Sequence, residues 1–300
     1  MNKYIIAGAL VALLAVPSLR ADDALRSKPK SSPTMSKKLQ GELPADRELE
    51  IRLGPRVTET AGSFRLGSSA IGAAIGRTAK DTVDLRRDLG LDDVNVGAQF
   101  DMDWQFIKNW HFNLGYKYDQ ASKTQTLPTD ISFAGAYFPK NSSFKSEMEL
   151  HQVDYVFGYD IYKDKTFKVM PFVGGKSLIA VVKGTGTSVT VADPAAIGVA
   201  GGYQTNPYSS SDTAWTMTWL AGFDAKINIS RDWYLGITPS ASTLDDWWAI
   251  QGQFYTGYDF SRNWGVRVGL DALYSKYSAS NNQKAEAGLG AVFVQAVWGF

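Results

Sequence analysis

Apolar residues recur at every second position along much of this chain. Over 248–260, Trp248, Ile250, Phe254, Tyr258 and Phe260 share one parity, and Ala249, Gln251, Gln253, Tyr255 and Asp259 share the other. Strand side chains alternate between two faces, so this spacing predicts a strand that is apolar on one face and polar on the other. After Ser261-Arg262-Asn263 the pattern resumes, with Trp264, Val266, Val268, Leu270 and Ala272 set against Gly265, Arg267, Gly269 and Asp271. A three-residue turn places Phe260 across from Trp264 on the same face, as cross-strand partners must be. The same grammar recurs in FDMDWQFIKNWHFNLGYKYD and FDAKINISRDWYLGITPSA, where it pairs Phe106 with Trp110 and Ile229 with Trp233. VDYVFGYDIYKDKTFKVMPFVGG is a fourth copy with a longer turn.

Read along the whole chain, the pattern predicts ten strands: 47–60, 95–106, 110–120, 146–161, 167–182, 214–229, 233–242, 248–260, 264–277 and 287–300. ISFAGAYF at 131–138 is a further strand candidate, so eight or twelve strands stay open. Short turns alternate with longer connections, chiefly 61–94, 121–145 and 183–213. A soluble sandwich would bury the apolar faces, but three features favour a membrane. The segments have the length of about ten residues or more that a tilted strand needs to cross a bilayer. The polar faces mix Gly with Asp, Lys and Arg, which suits a crowded interior. The tryptophans fall at strand ends: Trp104, Trp110, Trp233 and Trp264 by the short turns, Trp215, Trp247 and Trp248 at the opposite edge. Two such girdles mark two membrane interfaces. The expected fold is all-β, an antiparallel transmembrane β-barrel in meander order, with its short turns and both termini in the periplasm.

Composition narrows this picture. A net charge of +1 over 300 residues argues for no nucleic-acid partner. The absence of cysteine excludes disulfides, thiolate metal sites and thiol catalysis. Lys3, the apolar run from Tyr4 to Val16, Pro17 and Ala21 fit a secretory signal peptide over 1–21, too short to span a bilayer comfortably. Residues 22–46, rich in Lys, Ser and Pro, read as a flexible periplasmic segment ahead of a barrel at 47–300.

The stretch AVFVQAVWGF resembles the C-terminal signal of Gram-negative outer-membrane barrels. That resemblance implies that Phe300, Trp298, Ala296, Val294 and Val292 form the face read by the outer-membrane barrel assembly machinery. DFSRNWGVRVGLDALYSKY looks like a hairpin of the small OmpA/OmpW-like barrels, and the similarity runs over about 95–300. TVDLRRDLGLDDVN resembles a phrase of uncharacterised bacterial outer-membrane proteins and brings no activity with it. Lipid and lipopolysaccharide are the implied surroundings.

Parity turns Asp101, Asp103, His111, Lys117, Asp119, Asp154, Asp160, Lys168, Lys176, Asp224, Lys226, Asp259, Arg267 and Asp271 inward. Charges withdrawn from water need partners, so Asp160 is expected opposite Lys168 and Arg267 diagonal to Asp259. His111, diagonal to Asp103, has the form of a base with an orienting carboxylate. It lies near the periplasmic turn, however, with no Ser or paired carboxylate in register. His151 sits in EMELHQVD, which lacks the His–Asp and paired-Asp motifs of the omptin proteases and the His-x-Ser of outer-membrane phospholipase. No catalytic residue, metal ligand or cofactor is therefore assigned. Asp84, Asp88, Asp92 and Asp93 match no calcium loop, and DLRRDLGLDD reads as a solvated or lipopolysaccharide-facing loop with Arg86 and Arg87 exposed. The Gly/Ser/Ala-rich segment 184–213 reads as a flexible external loop. The expected function is a structural barrel or narrow passive channel without enzymatic activity. The alternatives are a surface-binding barrel using loop aromatics such as Tyr137, Phe138, Tyr203 and Tyr208, and a barrel-embedded hydrolase. A soluble lipocalin-like carrier is a weaker reading, because it needs an apolar lumen.

Overall fold

The computed structural model describes residues 47–65, 82–91, 94–133, 136–191, 203–278 and 284–300. The expected signal peptide and lead-in, 1–46, lie outside the described residues. Alternating β-branched and aromatic residues build the long strands, because such side chains pack well on a pleated surface. In chain order the strands are β1 (Leu49–Arg65), β2 (Thr82–Asp84), β3 (Asn95–Ile107), β4 (Trp110–Thr126), β5 (Ile131–Phe133), β6 (Ala136–Phe138) and β7 (Ser143–Tyr159). They continue with β8 (Tyr162–Lys163), β9 (Phe167–Val191), β10 (Tyr203–Asn228), β11 (Trp233–Leu244), β12 (Trp247–Asp259), β13 (Trp264–Ser278) and β14 (Lys284–Gly299).

Ten of these strands form an antiparallel meander, β1-β3-β4-β7-β9-β10-β11-β12-β13-β14, and β14 returns to pair with β1. Closure removes both sheet edges. The 131–138 segment forms only the small hairpin β5–β6, which touches β9 through Tyr137 and Val189, so the barrel count stays at ten. Pro55 and the adjacent Gly54 interrupt the β1–β14 register, which explains the ragged look of β1. Of the three turn pairings expected from parity, one shifts. Trp110 pairs with Ile107 rather than Phe106, across a bulge. The turn is closed by Asn109 at φ 68°, a left-handed conformation that Asn tolerates.

The largest departure concerns the external segments. Residues 184–191 and 203–213 are not a flexible loop but continuations of β9 and β10, laddered without a break from Tyr203–Val191 to Ile227–Phe167. Thr, Ser and Val alternate there, so strand propensity prevails over a composition that reads as a linker. The segment 82–91 is folded as well. Asp84 accepts hydrogen bonds from the Arg86 and Arg87 amides (3.1 and 2.8 Å), and its own amide donates to Asp88 Oδ2 (2.9 Å). This turn points Leu85, Leu89 and Leu91 inward and leaves Arg86 and Arg87 outside.

Outward faces carry an apolar band that includes Leu53, Val57, Val96, Phe157, Val173, Phe254, Val268, Leu270, Val292 and Val294, all exposed. Aromatic pairs border it: Trp110–Tyr159, Trp233–Tyr258 and stacked Trp264–Trp298 near the short turns, and Trp248–Tyr274 toward the other end. Trp104 and Trp215 are exposed on the same outward face. Trp247, expected with the girdle, is instead buried inside against Leu150, Ala249, Leu273 and Leu289. Two adjacent tryptophans on one strand must face opposite ways, and Trp248 takes the outward position.

Candidate functional site

The lumen is the candidate site, and it is filled in layers. At the short-turn end, Arg47 joins Glu50 (3.1 Å) and Asp259 (3.2 Å). Beside them His111 lies between two carboxylates, Nδ1 at 2.9 Å from Asp103 and Nε2 at 3.1 Å from Asp160. Asp160 also meets Lys168 at 3.2 Å and Lys163 at 3.5 Å. The expected Asp160–Lys168 contact thus forms, although the ladder sets Lys168 across from Lys163. The expected Arg267–Asp259 contact does not. Arg267 bonds Gln253 Oε1 (3.1 Å) and lies 3.4 Å over the Tyr255 ring, while Arg47 takes Asp259.

Higher in the barrel a second charged layer crosses the lumen. Lys117 Nζ meets Asp271 Oδ2 at 2.7 Å, and Arg56 reaches Asp119 (3.0 Å) and Asp271 (3.4 Å). Lys176, 1% exposed, donates to Asp154 (2.6 Å) and Gln251 (2.8 Å), and Gln251 passes the network on to Asp271 (2.9 Å). Above it lies the apolar layer of Leu150, Trp247, Ala249, Leu273 and Leu289. The external mouth is then closed by a dry cap. Val83, Leu85, Leu89 and Leu91 pack against Leu127, Ile131, Phe133 and Phe138, and against Phe144 and Met148 from the wall. Ser146 Oγ bonds the Leu89 carbonyl at 2.8 Å and ties the cap to β7. Tyr137 and Phe138, expected as exposed binding aromatics, are fully buried here because their hairpin folds inward. The side chain of Tyr203, and both Asp92 and Asp93, lie outside the described residues.

Sequence parity placed Asp103, His111, Asp160, Lys168, Asp259, Arg267 and Asp271 inward but missed Arg47, Glu50, Arg52 and Arg56. Their signal was present in the alternation Glu50, Arg52, Arg56 against Ile51, Leu53, Val57, obscured by the Gly54-Pro55 break. Between the two charged layers is a cavity of about 120 Å³, lined by Arg52, Asp101, Asp224 and Arg267 together with Met170 and Phe172. At the outer rim His151 Nδ1 bonds the Tyr116 hydroxyl (2.9 Å) and its ring lies against Tyr118. Among the described residues, no group of three or more His, Cys, Asp or Glu side chains is placed to hold a metal. In the exposed turn before β9, Asp164 accepts from the Tyr162 hydroxyl and the Phe167 and Thr166 amides, which hold its carboxyl below the ordinary aspartate value.

No family model and no curated protein matches the chain. Among solved structures it is similar to the outer-membrane protease OmpT from Escherichia coli, at 10% identity and a TM-score of 0.54, over 86% of this chain and 97% of that one. The attachment invasion locus protein Ail of Yersinia pestis matches at 10% identity and a TM-score of 0.32, over 84% of this chain and 99% of that one. Neisserial surface protein A matches at 9% and 0.29, over 84% and 97%. At this identity the OmpT likeness shows a shared fold. The closed meander, the outward apolar band and that likeness make this chain a closed ten-stranded antiparallel β-barrel that shares its fold with OmpT.

Proposed function

We propose that the protein is a non-enzymatic, structural outer-membrane barrel, closed to free passage of solutes. The observation that carries this reading is the filling of the lumen: two charged layers with one cavity between them, an apolar layer above them and the apolar cap at the mouth. A barrel of this strand number has an interior that side chains alone can fill, unlike 16-stranded porins. The apolar layer and the cap oppose an ion, because a desolvated ion is costly. Single-channel recording in a planar bilayer tests the reading. Verified insertion without current steps is the expected result, and stable, reproducible steps would overturn it.

A second reading, surface binding, is favoured by the β9–β10 hairpin, which continues well past the β10–β11 ladder that ends at Trp219–Thr243. It exposes Thr185, Thr187, Ser209 and Ser211 past the end of the β10–β11 ladder. The neighbour OmpT is named a protease. Against carrying that activity to this chain, His151 is bonded to a tyrosine, and His111 lies near the short-turn end between Asp103 and Asp160, the latter ion-paired with Lys168. Lipid and lipopolysaccharide around the apolar band belong to the same proposal. So does recognition of the outward stripe Val292, Val294, Ala296, Trp298 and Phe300 by the barrel assembly machinery.

A further inference from the structure

The cavity between the charged layers is lined by charged and apolar groups side by side, Asp224 lying across the β9–β10 ladder from Met170. Guanidinium and carboxylate groups face into it. Arg267 is 3% exposed, and its Nη2 bonds Gln253, but its buried Nε has no hydrogen-bond partner. Arg52 Nε, also facing the cavity, is likewise buried without one. Nearby, Asp224 accepts from two neutral hydroxyls on the same oxygen, Thr238 at 2.7 Å and Tyr255 at 2.9 Å. Among the described residues no cation lies within ion-pair distance of Asp224. Lys226, two residues on along the strand, lies instead 3.8 Å over the Tyr234 ring. Beside Asp224, Val156, Phe172 and Leu220 form a buried apolar cluster, and Met170 extends it.

The positive and negative elements are linked by one aromatic ring. Arg267 lies 3.4 Å above the Tyr255 ring, and the hydroxyl of that same ring reaches Asp224. A donor in need of an acceptor and an acceptor without a cation are therefore held about one tyrosine apart. A small α-amino acid with a hydrogen bond of about 2.9 Å at each end has a similar span. Buried guanidinium N–H groups without partners are costly, and a carboxylate satisfies them best.

We propose that this cavity is a binding site for a small zwitterionic amino acid. Its carboxylate accepts from Arg267 Nε, with Arg52 beside it; its ammonium donates to Asp224; and its side chain rests on Phe172 and Leu220. At about 120 Å³ the space takes a short side chain and excludes an indole. Drug-sized ligands need pockets of several hundred Å³. The site lies between the apolar layer above and the short-turn charged layer below, so entry from the short-turn end needs the side chains of that lower layer to part.

The test uses the full barrel refolded in detergent, titrated by calorimetry with glycine, L-alanine and L-valine. Acetate and methylammonium supply each charge separately, and L-tryptophan serves as the oversize probe. Expected is saturable 1:1 binding of the small zwitterions, at least tenfold weaker binding of either half and none of tryptophan. Arg267→Met and Asp224→Asn each weaken it tenfold or more. Ser240→Leu, which fills the cavity without removing a charge, abolishes it, and a β-sheet circular-dichroism spectrum matching that of the unaltered protein shows that each variant has folded. Absence of saturable binding to the unaltered protein would mean that the cavity holds only water and would overturn the proposal. Equal binding of acetate or methylammonium, or binding that survives all three substitutions, would do the same.

Discussion

Phe138→Ala is the sharpest probe of the closed mouth. Phe138 is fully buried, its ring 4.8 Å from Phe144 and 5.9 Å from Tyr208, edge-on to both. Truncating a buried Phe to Ala costs about 3–5 kcal/mol, of which aromatic pairing beyond area burial supplies about 0.5–1.5 kcal/mol. The loss falls on a cap made largely from two connecting segments, whereas the wall is held by continuous ladders, so the cost should appear as local opening. At about 1.4 kcal/mol per tenfold, the open population of the cap rises by roughly two to three and a half orders of magnitude. Hydrogen exchange with mass spectrometry reads this directly. Peptides covering 82–91 and 127–142 should exchange faster by about that factor, while β12 and β13 stay protected. Phe260→Ala, at an exposed outward position, leaves the cap unchanged. Unaltered exchange in the cap would refute the packing argument. Equal acceleration across cap and barrel would refute its independence from the wall.

Leu270→Arg places a charge on the outward apolar band and should cost about 2–4 kcal/mol in folding titrations into phospholipid vesicles. A soluble barrel would tolerate the same change at this 54%-exposed position within about 0.5 kcal/mol. Lys176→Met strands the Asp154 carboxylate and should lower stability by about 3–5 kcal/mol, whereas the double change Lys176→Met with Asp154→Leu recovers most of it; urea midpoints decide. Gly257→Ala drives a methyl group into the Tyr234 phenol and should cost about 1–3 kcal/mol in the same assay. The Asp164 carboxyl titrates below about 3.9 because its charged form is the hydrogen-bonded one. Its support of the turn is therefore complete above that value and is lost as pH falls through the lowered one. An NMR titration should show this depressed midpoint, and Tyr162→Phe should move it upward.

Much of the wall was legible because a strand's facing is a matter of parity. Every residue from Trp248 to Asp271 that alternation assigned outward or inward kept its face, since a one-residue slip would have turned the whole apolar set into the lumen. The charged pairs were only partly legible. Parity states which side chains share the interior, but their partners depend on reach across the lumen. Asp160 therefore finds Lys168 away from its ladder position, and Arg267 leaves Asp259 to Arg47. Arg47 itself lies just before the first strand, where alternation has not begun.

The connections were the least legible. Composition marked 184–213 as a linker and DLRRDLGLDD as a solvated loop, because Gly, Ser and charged residues are common in both. What turned them into strand and cap was contact at long sequence separation: β9 against β10, and Leu85 and Leu89 against Leu127, Phe133 and Phe144. The alternating pattern by itself determined most of the strands and their faces, because strand periodicity is local chemistry; that ten of them close the wall was decided by the β5–β6 hairpin staying outside it. Whether the lumen is open, which charges meet and what covers the mouth were decided only by the closed barrel. Those properties arise between side chains that the sequence holds far apart and the cylinder brings face to face.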